Sequence, residues 1–189
     1  MPGRKECESM LKQTAGVIWL TGLSGSGKST LANALNAELF KRGFLSCLLD
    51  GDTLRATICK DLGFSMSDRL ENIRRTAEIA RLMLDSGVIV IASFISPTNE
   101  IRALAKQIIG ENDFYEVFVD CSLETCRRRD VKGLYKQSLQ GSLNDFTGVD
   151  SAYERPENPW ITIDTEALSP DASLTKLLDF ILPKIKYQA

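Results

Sequence analysis

The stretch Gly22-Leu23-Ser24-Gly25-Ser26-Gly27-Lys28-Ser29 satisfies the spacing G-x-x-x-x-G-K-[ST] at every fixed position. Its flanks make it constraining. Residues 16–21 (GVIWLT) form a short apolar run that reads as a buried strand, and residues 30–35 (TLANAL) open a helical pattern. Glycines at 22, 25 and 27 let the backbone curl so that successive N–H groups face one anion, and the N-terminus of the following helix adds positive potential. Lys28 then reaches terminal phosphates and the Ser29 hydroxyl binds Mg²⁺. The loop residues Gly22, Leu23, Ser24, Gly25, Ser26, Gly27, Lys28, Ser29 and Thr30 are therefore the expected nucleotide cradle.

The rest of the chain repeats this grammar. Apolar runs at 16–21, 45–49, 88–93, 115–120 and 160–164 alternate with helical patterns at 28–42, 67–86, 99–109, 122–129 and 170–182. That order implies an α/β protein of the P-loop NTPase fold: a parallel five-stranded sheet flanked by helices on both faces. In the second long helix Leu70, Ile73, Ala77, Ala80 and Leu84 form a stripe, with Ser67 as the expected cap and Gly87 as the stop. Arg69, Asn72 and Thr76 lie on an adjacent stripe. Ser169 and Pro170 open the last helix, and Pro183 marks its expected end. Residues 130–159 break the alternation, with Gly133, Gly141, Gly148 and Pro156 among Lys132, Tyr135 and Lys136. A long irregular stretch inside a compact domain reads as a lid. Residues 1–15 read as an N-terminal tail or short helix, and 16–189 as one domain.

Composition narrows the chemistry. The chain of 189 residues holds no histidine, so histidine acid–base work and histidine metal ligation are excluded, and any base must be a carboxylate, a lysine or another group. A net charge of −2 argues against a general nucleic-acid binder. The five cysteines, Cys7, Cys47, Cys59, Cys121 and Cys126, are odd in number and lack C-x-x-C spacing, which predicts free thiols and a reducing, cytoplasmic setting. No apolar run reaches membrane-spanning length and residues 1–15 show no secretory pattern, so no membrane is expected.

A phosphate loop alone does not separate kinase, ATPase, GTPase and binding module. The second strand ends in Asp50-Gly51-Asp52, followed by Arg55. In a parallel sheet that places two carboxylates at the C-terminal edge beside the loop. Phosphoryl transfer needs a held Mg²⁺ and an oriented acceptor hydroxyl, which suits Asp50 with Ser29 as metal ligands and Asp52 as base. No N-K-x-D guanine signature occurs, and the third strand runs into Ser93-Phe94-Ile95-Ser96-Pro97 with no terminal acid. These features favour a small-molecule kinase over a GTPase or a mechanical ATPase.

Between residues 16 and 160 the chain resembles the adenylylsulfate (APS) kinase family. The likeness rests on GLSGSGKST at 22–30, LLDGD at 48–52, DLGFS at 61–65, DRLENIRR at 68–75 and SFISP at 93–97. It continues with EVFVD at 116–120, RDVKGLYK at 129–136 and DFTGVDSAYERPENP at 145–159. The resemblance implies ATP and Mg²⁺ as cofactors and phosphorylation of the 3′-hydroxyl of adenosine 5′-phosphosulfate, giving PAPS. It places Asp52 and Arg55 at the acceptor nucleotide. Phe64 and Phe146 stack on its adenine, while Arg69 and Asn72 hold its phosphosulfate. Ile95 and Ser96 line it, Lys132 reaches phosphate from the lid, and Arg129 joins the nucleotide site. A homodimer is expected. The family pattern links Ser96 to a proposed phosphoserine, whereas direct in-line transfer needs only Asp52 and Mg²⁺. Thr53, Ala56-Thr57 and Thr98-Asn99 depart from the family pattern, while Arg102 keeps a basic position. Read as a whole protein, the chain carries no sulfurylase part and so only the kinase step. The competing readings are another small-metabolite kinase on this scaffold and a non-catalytic nucleotide-binding module.

Overall fold

A computed structural model describes residues 2–139, 147–149 and 151–188. Five strands, β1 (Val17–Thr21), β2 (Ser46–Asp50), β3 (Ile89–Ser93), β4 (Phe114–Asp120) and β5 (Ile161–Asp164), form one sheet in the order β2-β3-β1-β4-β5. Every pairing is parallel. β1 lies in the middle and all five of its residues are buried, as are those of β3. That is why both read as unbroken apolar runs rather than alternating ones.

Alternation persists within β1 as a choice of face. Val17 and Trp19 enter one core, with Trp19 stacked on Phe94 at 5.5 Å and tilted against Phe114 at 5.6 Å. Ile18 and Leu20 enter the other. Helices α4 (Met66–Asp85) and α5 (Asn99–Ile109) cover the first face, and α2 (Lys28–Lys41) and α8 (Pro170–Ile185) cover the second.

Several boundaries differ from the sequence expectation. α4 is capped by Ser65, whose Oγ accepts from Asp68 N at 3.2 Å, and not by Ser67. Both serines have the chemistry. The acid three residues on selects Ser65, because the Ser65 hydroxyl also donates to the Asp68 carboxylate at 2.7 Å. α8 runs past Pro183 to Ile185. Ile181 and Ile185 both sit in the core, so the packed stripe carries the helix through a residue that cannot donate.

The first fifteen residues contain α1 (Arg4–Leu11), docked rather than loose. Arg4 grips Asp113 with two bonds of 2.7 and 2.8 Å and donates to Ala15 O at 3.0 Å. The 130–159 segment is not wholly irregular. It holds α7 (Leu134–Leu139), whose first turn is satisfied by the Asp130 carboxylate accepting from Tyr135 N and Lys136 N at 3.1 Å each. All five cysteines are free, and burial pushes the Cys126 thiol up.

Leu35 on α2 is fully buried between the sheet and α8. Leu35→Ala is expected to destabilise the protein by about 2–5 kcal/mol through lost burial and a residual cavity. Urea unfolding measures it, and a loss under about 1 kcal/mol would show that this face is not packed as described.

Candidate active site

All five strands deliver their C-terminal ends to one edge, where a cleft of about 980 Å³ opens. The glycine-rich loop follows β1. Gly22 has φ +153°, and a side-chain carbon there would sit 2.5 Å from Val119 O on β4, so only glycine lets the loop pass this close. Gly27 has φ +98° and leads into α2. Lys28 is buried, and its Nζ donates to Leu23 O at 2.7 Å, across the loop's own interior. Burial pushes its pKa down to about 8. The Ser26 hydroxyl is buried without a hydrogen-bond partner among the described residues.

Asp50, at the tip of β2, divides its carboxylate. Oδ1 caps the short helix α3 (Gly51–Ala56), accepting from Asp52 N at 3.1 Å and Thr53 N at 3.4 Å. Oδ2 accepts from Ser29 Oγ at 3.3 Å. One hydroxyl and one carboxylate oxygen, both hard donors facing the cleft, fit Mg²⁺, which keeps waters and phosphate oxygens as its other ligands. Asp52 stands one turn further, exposed, with Oδ2 paired to Lys132 Nζ.

The acceptor side is assembled from three segments. Arg55 donates to Gly63 O at 2.7 Å, and its guanidinium lies 4.4 Å from the centroid of the exposed Phe64 ring. Arg69 and Asn72, one turn apart on α4, are both buried and both border the cleft. Arg69 Nε donates to Phe64 O and Nη1 to Thr147 Oγ1, each at 2.8 Å. Asn72 Nδ2 has no partner among the described residues. Ile95 and Ser96 border the same cleft from the loop after β3. Ser96 is buried with φ +38°; its hydroxyl donates to Thr21 Oγ1 at 3.0 Å and accepts from Trp19 Nε1 at 3.2 Å. Phe146 lies outside the described residues.

Arg129 Nη1 donates to Gly25 O at 3.5 Å and Nη2 to Thr165 O at 2.7 Å. Thr165, after β5, donates in turn to Ser26 O at 2.8 Å. From α7, Tyr135 donates its hydroxyl to Ser24 O at 3.0 Å. Of the described residues in the sequence-predicted set, all but Gly22, Leu23 and Ser26 border this one cleft. Thr165 was missed, although the edge rule that singled out the end of β2 applies equally to the end of β5; Tyr135 was read as part of the lid but given no role. Residues 165–170 and Ser173 line the cleft beyond α2 and were not anticipated either.

The chain is similar to known proteins over most of its length. The family model for adenylylsulphate kinase matches residues 14–164. An adenylyl-sulfate kinase of Bacteroides thetaiotaomicron is 53% identical over 186 residues, 98% of this chain and 92% of that protein. The structure of the Mycobacterium tuberculosis APS kinase CysC in complex with AMPPNP and APS superposes with a TM-score of 0.86 at 43% identity, covering 89% of this chain and 98% of that one. A hexameric APS kinase from Thiobacillus denitrificans matches at 29% identity and a TM-score of 0.69, over 95% of this chain and 32% of that one. With residues 14–164, more than half of its length, matched by the family model, the chain belongs to the adenylylsulphate kinase family.

Proposed function

We propose that this protein transfers the γ-phosphoryl group of ATP to the 3′-hydroxyl of adenosine 5′-phosphosulfate, giving PAPS. The observation that carries this reading is the buried pair Arg69 and Asn72 opening onto the phosphate-loop cleft, with the Asn72 amide unsatisfied. A buried donor without an acceptor costs about 1–3 kcal/mol, and a phosphosulfate oxygen supplies the acceptor. A sugar lacks the charge that suits an arginine at this depth.

The loop amides and Lys28 bind the triphosphate, and Lys28 exchanges the Leu23 carbonyl for phosphate oxygen. Ser29 Oγ and Asp50 Oδ2 would hold Mg²⁺, which would neutralise charge on the phosphates. Arg129 and Thr165 brace the loop from its far side. Phe64 on its arginine base offers a stacking face for the acceptor adenine, with Phe146 as its expected counterpart. Asp52 orients the 3′-hydroxyl and takes its proton. In the empty protein Lys132 neutralises Asp52, and acceptor entry separates them. Segment 130–159 acts as a lid that excludes water. The Ser96 hydroxyl is engaged with Thr21 and Trp19, which supports direct transfer. The same reading places the protein in the cytoplasm as a homodimer. Five free thiols support the compartment, and an assembled relative supports self-association.

Asp52→Asn is expected to cut kcat by on the order of 10²-fold while ATP still binds. Steady-state kinetics with calorimetric ATP titration checks this, and near-normal kcat would move the base elsewhere.

The Lys28 amine is charged below about pH 8 and loses its proton above it in the empty site. Polyphosphate needs the charged form, so ATP affinity falls as pH rises through 8 and binding there takes up a proton. Calorimetry in buffers of different ionisation enthalpy reads that uptake. Lys28→Met should abolish it.

The acceptor preference follows from Arg69. AMP and adenosine are expected to show kcat/KM lower by about 10²-fold or more than the phosphosulfate, and Arg69→Ala should narrow that gap. Equal turnover of adenosine or a sugar by the wild type would refute the reading.

A further inference from the structure

Arg102, on α5, is 3% exposed, does not border the cleft, and has no part in the mechanism above. Its guanidinium is nevertheless the hub of a network that reaches the acceptor side. Nη1 donates to Ser96 O at 2.7 Å. Nη2 donates to Glu154 O at 2.8 Å and also meets Asn99 Oδ1. Nε faces the Glu116 carboxylate of β4 at 3.0 Å, so the buried charge is paired.

The residues around it are joined as well. Glu154 N donates to Pro97 O at 2.8 Å, and Asn99 N donates to the Glu154 carboxylate at 2.7 Å. The Tyr153 ring centroid is 5.8 Å from the guanidinium, and its hydroxyl is 3.0 Å from Thr21 Oγ1. Thr21 donates to Ile95 O at 2.7 Å. Thus the far part of the 130–159 segment, the loop 95–99 and the last residue of β1 are fastened to one another around a single side chain. Ser96 is held at φ +38°, a left-handed conformation that a serine keeps only when its surroundings impose it. The carbonyl of that same residue is the one Arg102 holds.

We infer that Arg102 is a positioning residue for the acceptor: it imposes the Ser96 turn and ties it to the lid's far anchor at Tyr153–Glu154, so that loop 95–97 presents a fixed wall to the bound phosphosulfate. The inference rests on the functional reading above. Lysine keeps a charge for Glu116 but cannot span Ser96 O, Glu154 O and Asn99 at once.

The test uses three variants: Arg102→Lys, Arg102→Met combined with Glu116→Gln so that no buried carboxylate is left alone, and Tyr153→Phe. Two readouts are needed. One is KM for the phosphosulfate against KM for ATP. The other is the indole N–H resonance of Trp19, which donates to Ser96 and reports the loop without turnover; half-exposed Trp160 is the internal reference. In Arg102→Lys, KM for the phosphosulfate should rise about tenfold or more while KM for ATP stays within about twofold. The Trp19 resonance should shift and exchange faster. Tyr153→Phe should move both readouts in the same direction by less, and is read alone if neither Arg102 variant folds.

Two unchanged readouts in a folded Arg102→Lys would overturn the inference. So would a shifted indole with unchanged KM for the phosphosulfate, or parallel shifts in both KM values and in the melting temperature, which mark a merely structural role. If the wild type fails to phosphorylate the phosphosulfate, the functional reading falls, and the indole readout still decides whether Arg102 holds the loop.

Discussion

The double-sided burial of β1 is the constraint on which everything else hangs. Its first four residues alternate between two cores, and Trp19 anchors one of them by stacking on Phe94 and tilting against Phe114. A central parallel strand covered on both faces cannot shift register without exchanging the two sets of side chains. The exit point of the glycine-rich loop is therefore fixed to within a residue. The Gly22 backbone passes close to the Val119 carbonyl, so the loop is also set against β4. Rigidity in the sheet is what allows a loop of small residues to hold a definite shape.

Polar groups at the sheet edge then divide their duties. Asp50 spends one oxygen capping α3 and keeps the other toward Ser29. Arg69 is anchored by Phe64 and Thr147, whereas Asn72 keeps an amide in reserve. Ser96 points its hydroxyl inward to Trp19 and Thr21. The same edge thus holds groups that complete the fold and groups left unsatisfied by it, and ligand chemistry is legible in the second kind.

Much of this was readable in the chain. All five strands fall within a residue of where their apolar runs place them, because each is a short run bounded by turn residues. The phosphate loop was read from its motif spacing, and Asp50 from the parallel-edge rule. The polar stripe of Arg69, Asn72 and Thr76 on α4 followed from helical period, and all three are buried. What escaped has a common cause. Ser65 rather than Ser67, the passage of α8 through Pro183, and the Arg102 network each depend on partners remote in sequence or on competition between equivalent local choices. Phe64 and Phe146 carried no local signal beyond ordinary apolar character. Their expected role came from family likeness alone.

Lys28 has a consequence for folding as well as for catalysis. The amine is already withdrawn from water and rests on a neutral carbonyl of its own loop. Burial disfavours the charged amine, and phosphate oxygens would offset that cost. A ligand that binds the native state and not the unfolded chain adds RT ln(1 + [L]/Kd) to stability. Here that ligand also relieves a cost built into the fold. Nucleotide therefore acts as a conditional part of the core, and the stability of the protein rises with its concentration.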